Sequence, residues 1–407
     1  MPLIVQKYGG SSVADADKIR NVARRVVAAK AAGNRVVVVV SAMGDTTDDL
    51  IDLAKQMTDQ PSPREMDLLL STGETISVTL MSMALHGLGC DAISLTGAQA
   101  GIRTDTLFSR ARILSIDPTR LRQELNDGKV VIVTGFQGIS EDKDITTLGR
   151  GGSDTTAVAL ACALKADECQ IFTDVAGVFT ADPRVAPEAR KLNEISYEEM
   201  LELATLGARV MHPRSVELGS VYGMPILVAS SFNSEPGTLI HEVSSMEARN
   251  KVRGIAHDMD VAKITIVGVP DRPGIAATIF APLAAAGLSV DTIVQNAGRE
   301  KIADLTFTVS KTDLPRAMKL VEGIAKDIQA RDCISDSNLG KVSIVGTGIQ
   351  NAPGYAARLF ETLYQEGINI EMITTSEIRI TCVVAEDRVA DAVRALHRAF
   401  ELEQPED

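Results

Sequence analysis

The stretch LIVQKYGGSSVADADKIRNVARRVVAAK, residues 3–30, sets the fold of the N-terminal half of the chain. It begins with a short apolar run at 3–6, which predicts a strand, and then passes through the paired glycines Gly9 and Gly10. Apolar side chains at helical spacing follow over 15–30, so this part predicts an amphipathic helix. A strand that enters a helix through glycines is typical of a parallel sheet covered by helices.

The same alternation of strands and helices continues to about Phe172. Short runs rich in valine and isoleucine are apolar on both faces, as expected of strands that helices cover from both sides. Strands are predicted at Leu3–Gln6, Val36–Val40, Ala92–Leu95, Val130–Val133 and Cys169–Thr173, and further helices at Thr75–Leu85 and Ser153–Leu164. The fold class is therefore α/β, with an open, mainly parallel sheet and helices on both faces.

An internal repeat follows after about residue 245. KITIVGVPDRPGIAATIFAPLAAAGLSVDTI from Lys263 can be superposed on KVSIVGTGIQNAPGYAARLFETLYQEGINIEMI from Lys341. Counted from Gly274 and Gly354, the two segments share Phe at +6, Gly at +13, an acid at +17 and Ile at +19. Each segment reads as strand, turn, helix and strand and is followed by another strand and helix. We therefore expect two tandem βαββαβ modules, each with its last strand supplied by an adjacent segment.

Composition and charge describe an acidic globular protein of several domains. The 407 residues are 45% hydrophobic and 23% charged, and the formal net charge is −13. Nine Phe, five Tyr and no Trp leave little for base stacking, so nucleic acid is not expected as a partner. A junction of mixed polarity at about 234–262 separates a predicted catalytic domain, 1–245, from the modules at 263–335 and 341–403.

The cysteines and the N-terminus bear on the compartment. Five widely spaced cysteines form no CxxC pair and indicate buried thiols in a reducing environment. The start MPLIVQKYGG carries neither a basic segment nor a long apolar one, so no secretory signal is expected. We expect a cytoplasmic protein with no membrane span.

Several predicted strands end in small or hydroxylated residues. Lys7 and the two glycines follow the first strand, and Ser41, Thr96, Thr134 and Thr173 follow others. Because the carboxyl ends of parallel strands share one rim, exposed amides and a lysine there suit a phosphate. A tight turn with a solvated lysine is the alternative. Neither GxxxxGK[ST] nor GxGxxG is present, which disfavours P-loop and Rossmann enzymes.

Three further segments carry candidate chemistry. Arg150, among the glycines of GRGGSD, is suited to clamp a carboxylate, although Asp154 could be an ordinary helix cap. Thr72-Gly73-Glu74 is expected to open a helix, with Glu74 either a first-turn acid or a receiver of a substrate ammonium. The loop 173–184 could hold a nucleotide base and ribose, or could be a surface turn.

The remaining sequence patterns limit the classes of reaction that the protein could catalyse. The five histidines form no HExxH or other ligand-spaced cluster, and no GxSxG elbow or Cys/His pair is apparent. No protein ligands for a metal are predicted, so Mg²⁺ is expected to arrive with nucleotide phosphates.

These motifs together resemble one family. KYGGSS at Lys7, SAMGDTTD at Ser41, TGE at Thr72, TTLGRGGSDTTA at Thr146 and TDVAGVFTADPR at Thr173, with the tandem repeat, look like an aspartate kinase of the amino-acid kinase superfamily. The two modules then correspond to ACT domains, and the absence of a further C-terminal domain resembles the monofunctional bacterial form. The resemblance implies ATP-dependent phosphorylation of the L-aspartate β-carboxylate, the first step of lysine, threonine and methionine biosynthesis.

The resemblance also implies roles for individual residues. The catalytic set would be Lys7, Arg150 and Asp154. ATP, with its Mg²⁺, would contact Lys7, Tyr8, Gly9, Gly10, Ser41, Thr173, Asp174, Phe179, Asp182, Arg184 and Arg209. Aspartate would contact Thr47, Glu74, Arg150, Gly151, Gly152 and Ser153. Phe179 and Arg209 stand where many relatives have Tyr and Lys, so the nucleotide side departs most from the family pattern.

Regulation and assembly are implied by the ACT modules. Lysine and/or threonine would bind at Asp271, Gly274, Ile275, Asp291, Gln295, Asn369, Thr374, Ser376 and Glu377. Paired modules favour a homo-oligomer, or assembly with a shorter in-frame chain that starts near Met246. Two other functions compete with this one: another carboxylate or carbamate kinase of the superfamily, and a catalytically silent amino-acid sensor.

Overall fold

The computed structural model describes residues 1–208, 210–243, 252–296, 302–349 and 352–404. The chain folds into two compact units. The first consists of Met1–Phe179 and Lys191–Glu247, and the second of Thr180–Arg190 and Ala248–Asp407.

The first unit is built on an eight-stranded sheet in the order β10-β12-β11-β9-β1-β2-β6-β3. Every neighbouring pair is parallel except β11 and β12, which confirms the predicted mainly parallel sheet. Its strands are β1 (Leu3–Tyr8), β2 (Arg35–Val40), β3 (Ala92–Leu95), β6 (Val130–Thr134), β9 (Glu168–Thr173), β10 (Glu194–Ser196), β11 (Ile226–Ser230) and β12 (Thr238–His241). A small second sheet consists of β4 (Ile102–Thr104), β5 (Ile113–Ile116), β7 (Gln137–Ile139) and β8 (Ile145–Thr147).

Helices of the first unit pack against the apolar strands. Asp15 caps α1 by accepting from the Lys18 backbone N–H at 2.9 Å. On the apolar face of this helix, Ile19, Val22 and Val26 are buried and Val27 is partly buried. The helices are α1 (Ala16–Ala31), α2 (Thr46–Met57), α3 (Pro63–Gly87), α4 (Thr119–Asn126), α5 (Gly152–Leu164), α6 (Tyr197–Thr205) and α7 (Pro213–Tyr222). The central strands and α5 are buried almost throughout, so the core lies on both faces of the sheet.

Helix α3 corrects one prediction. It begins at Pro63, so Gly73 and Glu74 lie inside the helix and do not open it. Gly73 serves close packing, since a Cβ there would lie 2.8 Å from the Cβ of Ala42. By length and composition α3 could also cross a membrane, but its inner face, which includes Asp67 and Glu74, is buried inside this unit. We therefore interpret α3 as a core helix.

The second unit contains a six-stranded sheet in the order β14-β15-β13-β16-β18-β17. One end of β13 pairs with β16 at Gly254↔Val345, and the other end pairs with it at Val267↔Asp332. Each repeat therefore borrows a strand from the neighbouring segment, as predicted. The strands are β13 (Gly254–Pro270), β14 (Ile293–Gln295), β15 (Ile302–Val309), β16 (Asp332–Val345), β17 (Met372–Thr375) and β18 (Arg379–Ala385), and the helices are α8 (Ile275–Ala285), α9 (Leu314–Asp327), α10 (Tyr355–Gln365) and α11 (Val389–Ala399).

The two repeats use their matched glycines in the same way. Gly274 and Gly354 both have positive φ, +92° and +108°, and both precede the first helix of their repeat. Gly287 and Gly367 follow that helix, again with positive φ. Equivalent backbone conformations at equivalent offsets confirm the repeat.

Residues 180–190 join the core of the second unit although they follow β9 of the first. Ala181 and Ala186 are buried in the same apolar cluster as Leu396. Thr180 accepts from the Ile255 backbone N–H at 2.7 Å through its carbonyl oxygen. Its hydroxyl lies 2.9 Å from Nε2 of His397.

Candidate active site

The loops that follow β1 and β2 are tied together by their backbones. The Ser41 N–H donates to the Tyr8 carbonyl at 3.1 Å, and the Gly44 N–H donates to the Gly10 carbonyl at 3.1 Å. A Cβ on Gly10 would lie 2.9 Å from the Ala42 carbonyl oxygen, so only glycine fits this approach. The predicted rim therefore exists, and its first two segments form one continuous backbone surface.

The helix expected directly after these glycines begins later than predicted. A 3-10 turn occupies Gly10–Val13, and α1 starts only at Ala16, because Asp15 caps it. The Ser12 N–H is also already used by the Gly9 carbonyl at 2.9 Å. Any oxyanion at this loop would thus meet the amides of the turn, not the end of α1.

Lys7 and Asp154 bring the first loop and the GRGGSD segment together. Lys7 is the last residue but one of β1, and its Nζ lies 2.7 Å from Oδ1 of Asp154 in the first turn of α5. Their side chains are only 12% and 11% exposed, so the pair is held in a shielded site. A carboxylate in the first turn of a helix is favoured by the helix dipole. The ammonium is therefore fixed in position where the two loops meet.

Arg150 projects from a turn that only glycines can form. Gly149 and Gly151 both have positive φ, +76° and +69°, and the Gly152 N–H closes the turn on the Gly149 carbonyl at 2.9 Å. A Cβ on Gly151 would lie 2.3 Å from the Cβ of His212, so the turn is packed against that side chain. Arg150 is exposed, and among the described residues no hydrogen bond or ion pair engages its guanidinium.

Glu74 is a buried acid that reaches the same rim. Its Oε1 accepts from the Ala42 backbone N–H at 3.3 Å, whereas its Oε2 is buried without a hydrogen-bond partner in the described part of the chain. Burial raises the pKa of Glu74 to about 7, and hydrogen bonds from backbone amides oppose this shift. An acid with a free, desolvated oxygen is suited to receive a cation.

The other residues predicted for the acceptor lie on the same unit. Thr47 is half-buried near the start of α2, and Ser153 is buried at the start of α5. Gly135, after β6, packs closely on Ser153, since a Cβ there would lie 2.5 Å from Oγ of that serine.

Only some of the residues predicted to bind the nucleotide lie in the described part of the first unit. The ring of Tyr8 is buried and stacks on Phe172 with centroids 4.9 Å apart, so only its backbone faces the loop. Burial also raises the pKa of the Tyr8 hydroxyl. In the first unit, Thr173 donates to Asp174 at 3.0 Å and Phe179 is half-buried.

Three nucleotide-side predictions lie outside the described part of the first unit. Asp182 and Arg184 belong to the second unit and form an ion pair with each other at 2.8 Å. This ion pair lowers the pKa of Asp182. Arg209 lies outside the described residues.

The predicted effector residues lie on the two repeats of the second unit. The Ile275 side chain is buried in the apolar core of the first repeat. The first repeat's Asp271, Gly274, Asp291 and Gln295, and the second's Asn369 and Glu377, are exposed, while Thr374 and Ser376 are half-buried.

Ion pairs link the two repeats reciprocally. Lys341, which begins the second repeat, pairs with Asp291 of the first, and Lys263, which begins the first, pairs with Glu371 of the second at 2.9 Å. The two acids are those at offset +17 in the aligned repeats. The ion pair with Lys263 lowers the pKa of Glu371.

Sequence reasoning missed three side chains around Arg150. His212 packs on Gly151, Arg214 hydrogen-bonds the carbonyl before Gly149, and Asp67 binds the end of β8. The pKa of His212 is lowered by burial and by Arg214. A His-Pro pair signals only a helix start, so no local pattern could have connected these residues to the loop.

Comparison with known proteins agrees with this architecture. Residues 2–230 match the amino acid kinase family, and residues 263–325 and 342–400 each match an ACT domain. An aspartokinase from Pseudomonas aeruginosa is 52% identical over 408 residues, which cover 100% of this chain and 99% of that protein.

Two solved structures extend the likeness to the fold. E. coli aspartokinase III in complex with aspartate and ADP is 27% identical with a TM-score of 0.83, and covers 98% of this chain and 99% of that chain. The same enzyme with lysine and aspartate has 27% identity, the same coverage and a TM-score of 0.75.

The chain belongs to the amino acid kinase family, whose members are phosphotransferases. Its full-length identity to aspartokinases and its two ACT domains define its place within that family. It is an aspartate kinase, an ATP-using enzyme.

Proposed function

We propose that this enzyme transfers the γ-phosphoryl group of ATP to the β-carboxylate of L-aspartate, giving 4-phospho-L-aspartate and ADP. The observation that carries the proposal is the 2.7 Å pair between Lys7 and Asp154, which joins the KYGGSS loop to the GRGGSD segment. Glu74 reaches the same rim through Ala42. The loop proposed to bind phosphate and the two residues proposed to bind the acceptor, Arg150 and Glu74, therefore belong to one unit.

On the phosphate side, Lys7 neutralises charge on the β- and γ-phosphates while the amides around Gly9 and Gly10 cradle them. Asp154 holds the ammonium in place and is itself neutralised by it. The nucleotide extends towards Ser41, Thr173, Asp174 and Phe179. Asp182, Arg184 and Arg209 complete this set in the proposal.

On the acceptor side, Arg150 grips a carboxylate of aspartate and Glu74 receives its ammonium, with Thr47, Gly151, Gly152 and Ser153 around them. A carboxylate is already a nucleophile at pH 7, so no general base is needed. Catalysis then consists of positioning and charge stabilisation, which agrees with a site built from one lysine, one arginine and backbone amides.

Mg²⁺ is assigned to the nucleotide. Within the described residues no group of three or more His, Cys, Asp and Glu gathers that could hold a metal. The carboxylate that contacts Lys7, Asp154, is already neutralised by this ion pair. Phosphate oxygens are the ligands that remain, and the ion there would spread the charge of the transferred group.

For regulation, we propose that lysine and/or threonine inhibits the enzyme through the ACT domains, as expected of the first step towards lysine, threonine and methionine. Asp291 and Glu371 carry the negative charges at equivalent positions of the two repeats, each held by a lysine of the other repeat. An effector ammonium at either acid would compete with that lysine, so binding would alter the link between the repeats.

We also propose a cytoplasmic homo-oligomer or an assembly with a shorter in-frame regulatory chain, formed through the ACT domains. The five cysteines are all free, which agrees with a reducing compartment. We also propose the domain limits 1–245, 263–335 and 341–403 that the sequence predicts, except that residues 180–190 pack in the second unit.

An acceptor survey tests the reaction. ADP release is coupled to NADH oxidation, and hydroxylamine traps any acyl phosphate as a hydroxamate. We expect both signals with aspartate and neither with glutamate, and lower rates with lysine or threonine. Turnover of glutamate in place of aspartate would identify another carboxylate kinase. Binding of amino acids without any turnover would identify a sensor.

A further inference from the structure

Asp67 is a buried carboxylate that the proposed reaction leaves without a role. It lies on α3 and is 0% exposed. Its oxygens accept from the Thr147 N–H at 2.8 Å, the Thr147 hydroxyl at 2.7 Å and the Ser109 N–H at 2.9 and 3.0 Å, with the Ser109 hydroxyl at 3.4 Å. No ion pair to it occurs among the residues described. A buried acid satisfied only by two distant residues fixes those residues relative to each other.

Both residues adjoin the turn that carries Arg150. Thr147 is the last residue of β8, three positions before the arginine. Ser109 touches the turn through its carbonyl oxygen, which would lie 2.8 Å from a Cβ on Gly149. Asp67 therefore sets the position of the strand that enters the turn and of the surface on which the turn rests.

Arg214 completes the support from the other side. Its guanidinium donates to the Leu148 carbonyl at 2.8 Å and to the Ala111 carbonyl at 3.1 Å. The Ala111 N–H in turn donates to the Thr147 carbonyl at 2.9 Å. The peptides just before Arg150 are held on both sides, whereas the arginine side chain itself is exposed and unpaired within the described chain.

We propose that Asp67 is a positioning residue for Arg150: by binding Thr147 and Ser109 together, it places the guanidinium where the aspartate carboxylate meets it. The proposal rests on the substrate-binding role proposed above for Arg150. Since no hydrogen bond or ion pair from the described residues holds the guanidinium, its placement depends on its backbone. A displacement of about 1 Å at such a site can cost on the order of 100-fold in rate.

The test compares aspartate with ATP in the full-length enzyme. Asp67→Asn keeps the volume but turns an amide group towards N–H donors. We expect the KM for aspartate to rise at least tenfold and the KM for ATP to stay within twofold. The chemical identity of the hydroxamate product should be unchanged. Thr147→Val removes only the 2.7 Å hydroxyl contact and should shift the same constant in the same direction by a smaller factor. If Asp67→Asn does not fold, Thr147→Val is the variant that tests the proposal.

A double-mutant cycle separates positioning from general stability. In an Arg150→Ala background, Asp67→Asn or Thr147→Val should change the KM for aspartate less than twofold, because there is no longer a guanidinium to position. Additive effects in that background would overturn the proposal. So would an unchanged KM for aspartate in both single variants.

A matched control removes another buried charge. Glu199 is 5% exposed and caps α6 with Ser196, so Glu199→Gln should lower the Tm and leave the KM for aspartate within twofold. A tenfold rise in that control would show that any loss of stability loosens the site, and would overturn the role of Asp67.

If Arg150→Ala alone leaves the KM for aspartate unchanged, the substrate role of Arg150 fails. If Arg150→Ala raises it but the Asp67 variants do not, only the positioning role fails.

Discussion

Glu74 gives the sharpest prediction because its effects on stability and on substrate binding have opposite signs. Its pKa is raised from 4.5 to about 7 by burial in the folded enzyme. An acid with a raised pKa binds its proton more tightly in the folded state than in the unfolded chain. The contribution of Glu74 to the free energy of unfolding is therefore highest below about pH 4.5, falls as the pH rises to about 7, and is constant above that pH.

The magnitude follows from the two pKa values. A rise from 4.5 to about 7 corresponds to about 3 kcal/mol of lost stability above pH 7. Glu74→Gln removes the charge but leaves buried amide hydrogens without an acceptor, which costs about 1–3 kcal/mol, so we expect a net recovery of about 0–2 kcal/mol. For a domain of this size, that gain raises the Tm by roughly 2–4 °C for each kcal/mol.

The assay is thermal unfolding of wild type and Glu74→Gln between pH 5 and 8. The difference in Tm should grow with pH up to about 7 and then level off. Glu65→Gln, at an exposed position of the same helix, should show no such growth. A Tm difference for Glu74→Gln that does not depend on pH would refute the reasoning, because the raised pKa is its only source.

The pH dependence of aspartate binding should be opposite to that of stability. An ammonium placed against Glu74 stabilises the ionised acid, so the KM for aspartate should fall as the pH rises from 6 to 8, and aspartate binding near pH 6.5 should release protons. Glu74→Gln should raise the KM at least tenfold and abolish the proton release, measured by calorimetry in buffers of different ionisation enthalpy. Proton release that persists in the variant would contradict the assignment.

Three further substitutions test the phosphate side, the acceptor turn and the second unit. Lys7→Ala should lower kcat at least 100-fold while the KM for aspartate changes less than threefold, in steady-state kinetics; equal losses would mean that Lys7 only supports the turn. Gly151→Ala places a Cβ against His212 and should raise the KM for aspartate more than tenfold, whereas Gly223→Ala, also at positive φ but with open space, should not. Thr180→Val removes the hydroxyl contact to His397 within the second unit. It should weaken the proposed inhibition by lysine or threonine at least threefold, with the uninhibited kcat within twofold; unchanged inhibition would show that this contact plays no part in regulation.

The parallel sheet could be predicted because its signal is local. Valine-rich runs that are apolar on both faces occur only where helices cover a strand on both sides, and glycines mark the strand ends. Once parallel strands are established, their carboxyl ends must share a rim, so Lys7 and Ser41 could be placed together without coordinates. The repeat was equally accessible, since Gly274 and Gly354 require the same positive φ.

The errors arose where a glycine had a long-range purpose. The sequence predicts that Gly73 stands at the start of a helix. In the structure it lies inside α3, where the absence of a side chain allows the helix to approach Ala42 closely. The support of Arg150 was invisible for a related reason. Asp67 is 80 residues from Thr147 in sequence, and no periodicity records a hydrogen bond across that distance. Side-chain contacts of this kind are set by packing, which only the folded structure defines.

The segment 180–190 shows what such packing implies for regulation. The sequence predicts that the loop 173–184 either holds a nucleotide base and ribose or is a surface turn. In the structure, small apolar residues at 181 and 186 fit the core of the second unit, and the Thr180 hydroxyl lies 2.9 Å from Nε2 of His397 on α11. Phe179, the residue before it, belongs to the first unit and bridges to Lys191 there. The chain therefore passes from the predicted nucleotide loop directly into the core of the ACT unit. This connectivity makes the peptide bond between residues 179 and 180 a covalent link between the two units.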